Sequence, residues 1–164
     1  MLRLEPTRFT EHQHARRWVG DFPATGGEIV EAEEQLGVRF PADYRELLSI
    51  SNGFPVPSGV DPGFLPVGAV NLLIEEDPYL VESYDSLGSE LKTALLIGGK
   101  NEEQYFLLLP PNDDYEEWGY WKFANWIPGE HAFEDLTTYW HGVLQSLEKE
   151  LESEGPRRDS WDWL

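Results

Sequence analysis

The chain contains no cysteine. Disulfides, thiol nucleophiles and zinc ribbons are excluded with it. Basic residues are also scarce: 12 Lys and Arg stand against 31 Asp and Glu in 164 residues, a formal net charge of −19. A surface this acidic repels nucleic acid phosphates and anionic membranes alike. It favours solubility and basic partners instead. No apolar run approaches the roughly 20 residues of a membrane span, and Met1 to Thr10 lack the apolar stretch of a secretory signal. A cytoplasmic protein is the expectation. Histidine is limited to His12, His14, His131 and His141, with no HExxH pattern among them. No metal ligand set and no cofactor is expected from them.

Against these shortages stand seven Trp, seven Tyr, eight Phe and a hydrophobic fraction of 40%. That is enough apolar material for a buried core, so global disorder is not expected. The length suits one domain. The charge is uneven. Residues 1–50 carry a net −3, residues 51–121 a net −11 and residues 122–164 a net −5.

Thr10 opens a short helical candidate, and a Gly- and Pro-containing loop follows from Asp21 to Gly27. Thr25-Gly26-Gly27-Glu28 reads as a capping box, with Ser/Thr and Glu three residues apart. Ile29, Ala32, Glu33 and Leu36 then share one helical stripe, and Gly37 is placed to end it. Pro41 suits the first turn of a second helix. Its inward stripe is Tyr44, Leu47 and Leu48, and Asn52-Gly53 closes it. Pro55, Pro57, Pro62 and Pro66 make the next stretch a loop.

Val67–Ile74 is apolar with β-branched members and reads as a strand, stopped by Glu75-Glu76-Asp77-Pro78. Residues 79–87 are ambiguous for a short helix. Ala94–Ile97 and Gln104–Leu109 read as two strands joined by a Gly98-Gly99-Lys100-Asn101 turn. Pro110 to Asp114 is a second turn, and Trp118–Trp126 is an aromatic strand closed by Pro128-Gly129. Phe133, Leu136, Trp140, Val143, Leu144, Leu147 and Leu151 recur at spacings of three and four. They predict a long last helix, with Glu134 and Asp135 in its first turn, where the helix dipole favours acids. The order of elements points to α+β, a mostly antiparallel sheet with helices on one side and a long C-terminal helix. Residues 1–24 read as an N-terminal extension with a short helix, 25–152 as the domain, and 153–164 as a Trp-rich tail.

Catalytic motifs are missing. No GxSxG occurs, and Gly98-Gly99-Lys100 lacks the spacer and the Ser or Thr of a phosphate loop. Acid clusters are present at Glu75-Glu76-Asp77, Asp113-Asp114 and Glu116-Glu117. Paired carboxylates serve acid–base chemistry or divalent ions, but a chain with so many acids forms such pairs by composition, and these lie at turn signals. A solvated surface facing a partner is the simpler reading. On the aromatic strand, Tyr120 and Trp126 share one face, Trp121 and Phe123 the other. Both faces as core, or one as an exposed aromatic patch, remain open. So do a docked and an exposed Trp161-Asp162-Trp163-Leu164.

The run Ile29, Glu33, Leu36-Gly37, Pro41, Tyr44, Leu47-Leu48 and Asn52-Gly53 resembles the opening of the SUKH superfamily, specifically its Smi/Knr-type domain. Leu96-Ile97-Gly98 followed by Tyr105-Phe106-Leu107 is similar to that family's strand, Gly turn, strand segment. His131 to Leu136 resembles its approach to the final helix. The residues of the first block are core positions and helix ends, so the motif identifies a fold and not an active site. The resemblance implies a Smi/Knr-like single domain without catalysis. Its bacterial members are immunity proteins that neutralise toxins, often nucleases; its fungal members are cell-wall-assembly regulators acting through protein contacts.

With the charge of residues 51–121, the leading expectation is an immunity protein for a basic protein toxin, with no direct nucleic acid or membrane partner. Glu75, Glu76, Asp77, Asp113, Asp114, Glu116, Glu117 and Trp118 are the expected contact residues. A housekeeping interaction module is the alternative. A metal-dependent hydrolase rests on the acid pairs alone.

Overall fold

A computed structural model describes residues 11–58, 60–84, 88–99, 104–113, 116–124 and 129–154. A short helix, α1 (Glu11–Arg16), precedes the helix pair α2 (Gly26–Leu36) and α3 (Ala42–Ile50). Thr25 and Glu28 cap α2 reciprocally: the Glu28 N–H donates to Thr25 Oγ1, and the Thr25 N–H donates to Glu28 Oε2 at 2.7 Å. Gly37 ends α2 at φ +68°, its N–H directed to the carbonyls of Glu33 and Glu34. That left-handed position is one glycine occupies without steric cost.

The resemblance motif holds the scaffold together. Ile29 and Tyr44 are buried, and Leu36 and Leu47 pack half-buried on the same core. The Glu33 carboxylate accepts the Phe40 N–H at 2.8 Å and pairs with the Arg45 guanidinium, which joins α2, the intervening loop and α3. Pro41 stands just before α3, and its carbonyl accepts the Arg45 N–H. Asn52 donates its N–H to Phe22 O and accepts the Val67 N–H on Oδ1 at 2.6 Å. Gly53 adopts φ +105° where the chain is crowded, since a Cβ there would lie 3.2 Å from Pro66 N.

Five strands form one antiparallel sheet in chain order: β1 (Asn71–Leu72), β2 (Leu95–Gly98), β3 (Gln104–Leu109), β4 (Gly119–Ala124) and β5 (Glu130–Phe133). The long helix α7 (Leu136–Glu154) follows. Between β1 and β2 run three short helices, α4 (Leu73–Glu76), α5 (Pro78–Ser83) and α6 (Gly88–Thr93).

The sheet is covered on both faces, not on one. Leu95, Ile97, Phe106, Leu108 and Tyr120 meet α2, α3 and α7 through Ile29, Tyr44, Leu48, Tyr139 and Val143. Leu96, Leu107, Leu109 and Phe123 meet the short helices through Leu73, Val81 and Leu91. The cause is legible in β2 and β3, where consecutive residues are apolar. Strands without a polar face must be covered twice. The described part of the aromatic strand accordingly contributes core on both sides; Trp126 lies outside the described residues.

Two further expectations are corrected. Val67–Ile74 is not one strand: a 3-10 turn (Val67–Ala69) and the two residues of β1 lead directly into α4. The Leu73 N–H goes to Ala94 O at 2.8 Å, and the chain turns there onto the sheet face. Residues 130–133 are an edge strand paired with β4, so the last helix starts only at Leu136. Asp135 is its cap, accepting the Thr138 N–H at 2.6 Å, and Glu134 lies outside the first turn. That hydrogen bond holds the Asp135 carboxyl below the usual carboxylate range.

Candidate partner-binding surface

The first acidic group follows from the turn at Leu73. Burial of Leu73 fixes one side of α4 and leaves Glu75 in solvent. Glu76 is half-buried and accepts the Asn71 side-chain amide at 2.8 Å. Asp77 caps α5 by accepting the Leu80 N–H at 2.9 Å, while its other oxygen accepts the Tyr105 hydroxyl at 3.0 Å. Partial burial, then the Asp77 carboxylate, raises the Tyr105 phenol above its ordinary value. Of the three acids, Glu75 points outward while Glu76 and Asp77 are tied to the scaffold.

The second group sits in the turn beyond Leu109 and Gly119. Asp113, Glu116 and Glu117 are exposed. Asp114 lies outside the described residues. Trp118 is half-buried against the core shared with α2, α3 and α7, so packing accounts for much of its indole. The two acidic groups therefore stand on different elements, one on the cover of the face bearing Leu107, the other at a strand end.

Two residues missed in the sequence belong beside the first group. Tyr79 is 78% exposed on α5, and Glu82 one turn on is exposed as well. Leu80, Val81 and Tyr84 turn the opposite side of that helix to the sheet. The helix has six residues, too few for its inward pattern to separate it from a turn in the sequence. The other missed feature is a buried ion pair, Lys122 Nζ to Asp61 Oδ1 at 2.7 Å, with Lys122 donating also to Val60 O. It withdraws a cation from the surface next to the acid-rich segment, whose own cations are Lys92 and Lys100.

Among the described residues, no group of three or more His, Cys, Asp or Glu is placed to hold a metal ion. No helix among them is long and apolar enough to cross a membrane.

A capped helix pair, a five-stranded antiparallel sheet and a long closing helix define an α+β domain whose signature residues serve packing. The chain belongs to the SMI1 / KNR4 family (SUKH-1), whose sequence model matches residues 23–152. No curated protein matches it.

Proposed function

We propose that this protein is a non-enzymatic immunity protein that binds and neutralises a basic toxin domain of nuclease type in the cytoplasm. The supporting observation is the exposure of Glu75, Glu82, Asp113, Glu116 and Glu117 within a segment of net charge −11. A nuclease holds phosphates with basic residues. An acidic inhibitor gains steering and complementarity toward such a surface. Tyr79, exposed beside Glu75 and Glu82, adds an aromatic of the type enriched in interface hot spots.

Family membership is compatible with a second reading, a regulatory interaction module, because the matched motif is structural and common to both. Co-expression separates them. The chain should restore growth to cells expressing the toxin encoded by an adjacent gene; persistent toxicity with both proteins present contradicts the immunity reading.

A further inference from the structure

Several exposed large apolar side chains lie outside the short acidic helices. Trp18, Phe22 and Ile50 are 40%, 64% and 50% exposed, and Leu144 and Leu151 on α7 are 54% and 70% exposed. The Phe22 carbonyl accepts the Asn52 N–H beside the end of α3. The Trp18 ring meets Phe54 edge-on at 5.9 Å, and Phe54 meets Trp140 at 5.0 Å. Trp140 then begins the α7 series Trp140, Leu144, Leu147, Leu151, spaced four, three and four. That is the spacing of a helix-to-helix seam.

Leu136, Tyr139 and Val143 are buried, and Trp140 and Leu147 pack half-buried on the same core, which leaves Leu144 and Leu151 as the exposed members of the series. Leu144 and Leu151, one heptad apart, form a shoulder beyond them. Exposed apolar groups aligned in this way mark interaction sites more often than lone surface leucines do. Glu148 lies between the two, four residues after Leu144 and three before Leu151, and Glu150 and Glu152 are exposed nearby. A second copy of this chain would set these glutamates against their equivalents. A partner with lysine or arginine beside its apolar stripe would pair with them.

We propose that the Leu144–Leu151 shoulder of α7 docks an amphipathic helix of another protein, with leucine-type residues on its seam and Lys or Arg on its flanks. The mode is a helix laid along an apolar face. The site lies across the sheet from the short helices that carry Glu75 and Glu82, and it stands whether or not a toxin partner exists.

The probe is a labelled synthetic 21-residue helix with Leu at seam positions and Lys at flanking ones, beside a twin with Glu in place of Lys. Fluorescence anisotropy with the full chain should show saturable binding of the Lys peptide, at least tenfold tighter than of the Glu twin. Leu144→Ala with Leu151→Ala should weaken it at least tenfold, while Glu116→Gln with Glu117→Gln leaves it unchanged. Both leucines are exposed, so the first variant should keep its circular dichroism spectrum. Equal binding to the leucine variant, loss on changing Glu116 and Glu117, or no saturable binding overturns the proposal. So does self-association in sedimentation that the leucine variant abolishes, which makes a second copy the occupant. A rise in peptide affinity on truncation after Glu154 overturns it too, in favour of the chain's own residues 155–164.

Discussion

Lys122 Nζ lies 2.7 Å from Asp61 Oδ1, and both side chains are 9% exposed although 61 residues separate them. The pair fastens the proline-rich segment to the face of the sheet that also carries Tyr120. Ser58 donates its hydroxyl to the other Asp61 oxygen at 2.7 Å, which completes the carboxylate's shell.

Removing one member of this pair should leave the other charge buried without its counterion. Lys122→Met is expected to cost about 3–5 kcal/mol in urea unfolding. Lys122→Met combined with Asp61→Leu should cost less than the single change, because neither charge then remains. A single variant as stable as the parent chain would show that the pair is open to water.

The glycines of the helix pair should differ in their tolerance of alanine. Gly37 has a positive φ but open space around a Cβ, so Gly37→Ala should cost about 1–2 kcal/mol from backbone conformation. Gly53 combines φ +105° with Pro66 N at 3.2 Å and Phe64 O at 3.3 Å from the added atom. Gly53→Ala should therefore be the more costly of the two. The comparison is read from the two denaturation midpoints; the reverse order contradicts the described crowding.

Stability should fall at alkaline pH. Burial raises the phenols of Tyr44, Tyr120 and Tyr139, reinforced at Tyr120 by Asp43, which accepts its O–H at 2.7 Å, and at Tyr139 by the Asp61 charge. In the unfolded chain they ionise near pH 10. Below that pH the native and unfolded states hold these protons equally, and the stabilisation is complete. Above it the unfolded state releases protons that the native state keeps, so stability drops by about 1.4 kcal/mol per pH unit for each tyrosine. Urea unfolding at pH 9 and 11, with phenolate absorbance of the native chain, tests this. Full ionisation of all tyrosines near pH 10 without unfolding contradicts it.

Reversal of charge in the β3–β4 turn should act on association. Glu116→Lys with Glu117→Lys is expected to slow binding to a basic partner severalfold and to flatten its dependence on salt, with little effect on folding, since both side chains are exposed. Stopped-flow association at two ionic strengths measures both quantities. An unchanged rate removes these residues from the interface.

Legibility in the sequence followed local signals. The α2–α3 pair announces itself through a capping box, a glycine end and two apolar stripes. β3 does so through a continuous apolar run between turns. Where geometry depends on distant partners, the signal fails. Residues 130–133 show three exposed side chains and one half-buried, so no alternation identifies β5; pairing with β4 makes it a strand. Val67–Ile74 has strand-like composition, yet burial of Leu73 under Ala94 bends it into α4. Asp61 and Lys122 look like ordinary surface residues until the proline-rich segment folds across the sheet. Of the expected contact residues, Glu75, Asp113, Glu116 and Glu117 are exposed, whereas Asp77 and much of Trp118 are engaged in scaffold contacts.

The most direct test of the proposed role is a stoichiometric titration. A purified nuclease toxin from an adjacent gene is assayed on DNA or RNA while this chain is added in known amounts. A linear loss of activity reaching zero at one equivalent is expected, with the complex weakened by Glu75→Lys or by Glu116→Lys with Glu117→Lys. Full nuclease activity in a large excess of the chain, with no complex by gel filtration at low salt, would contradict it.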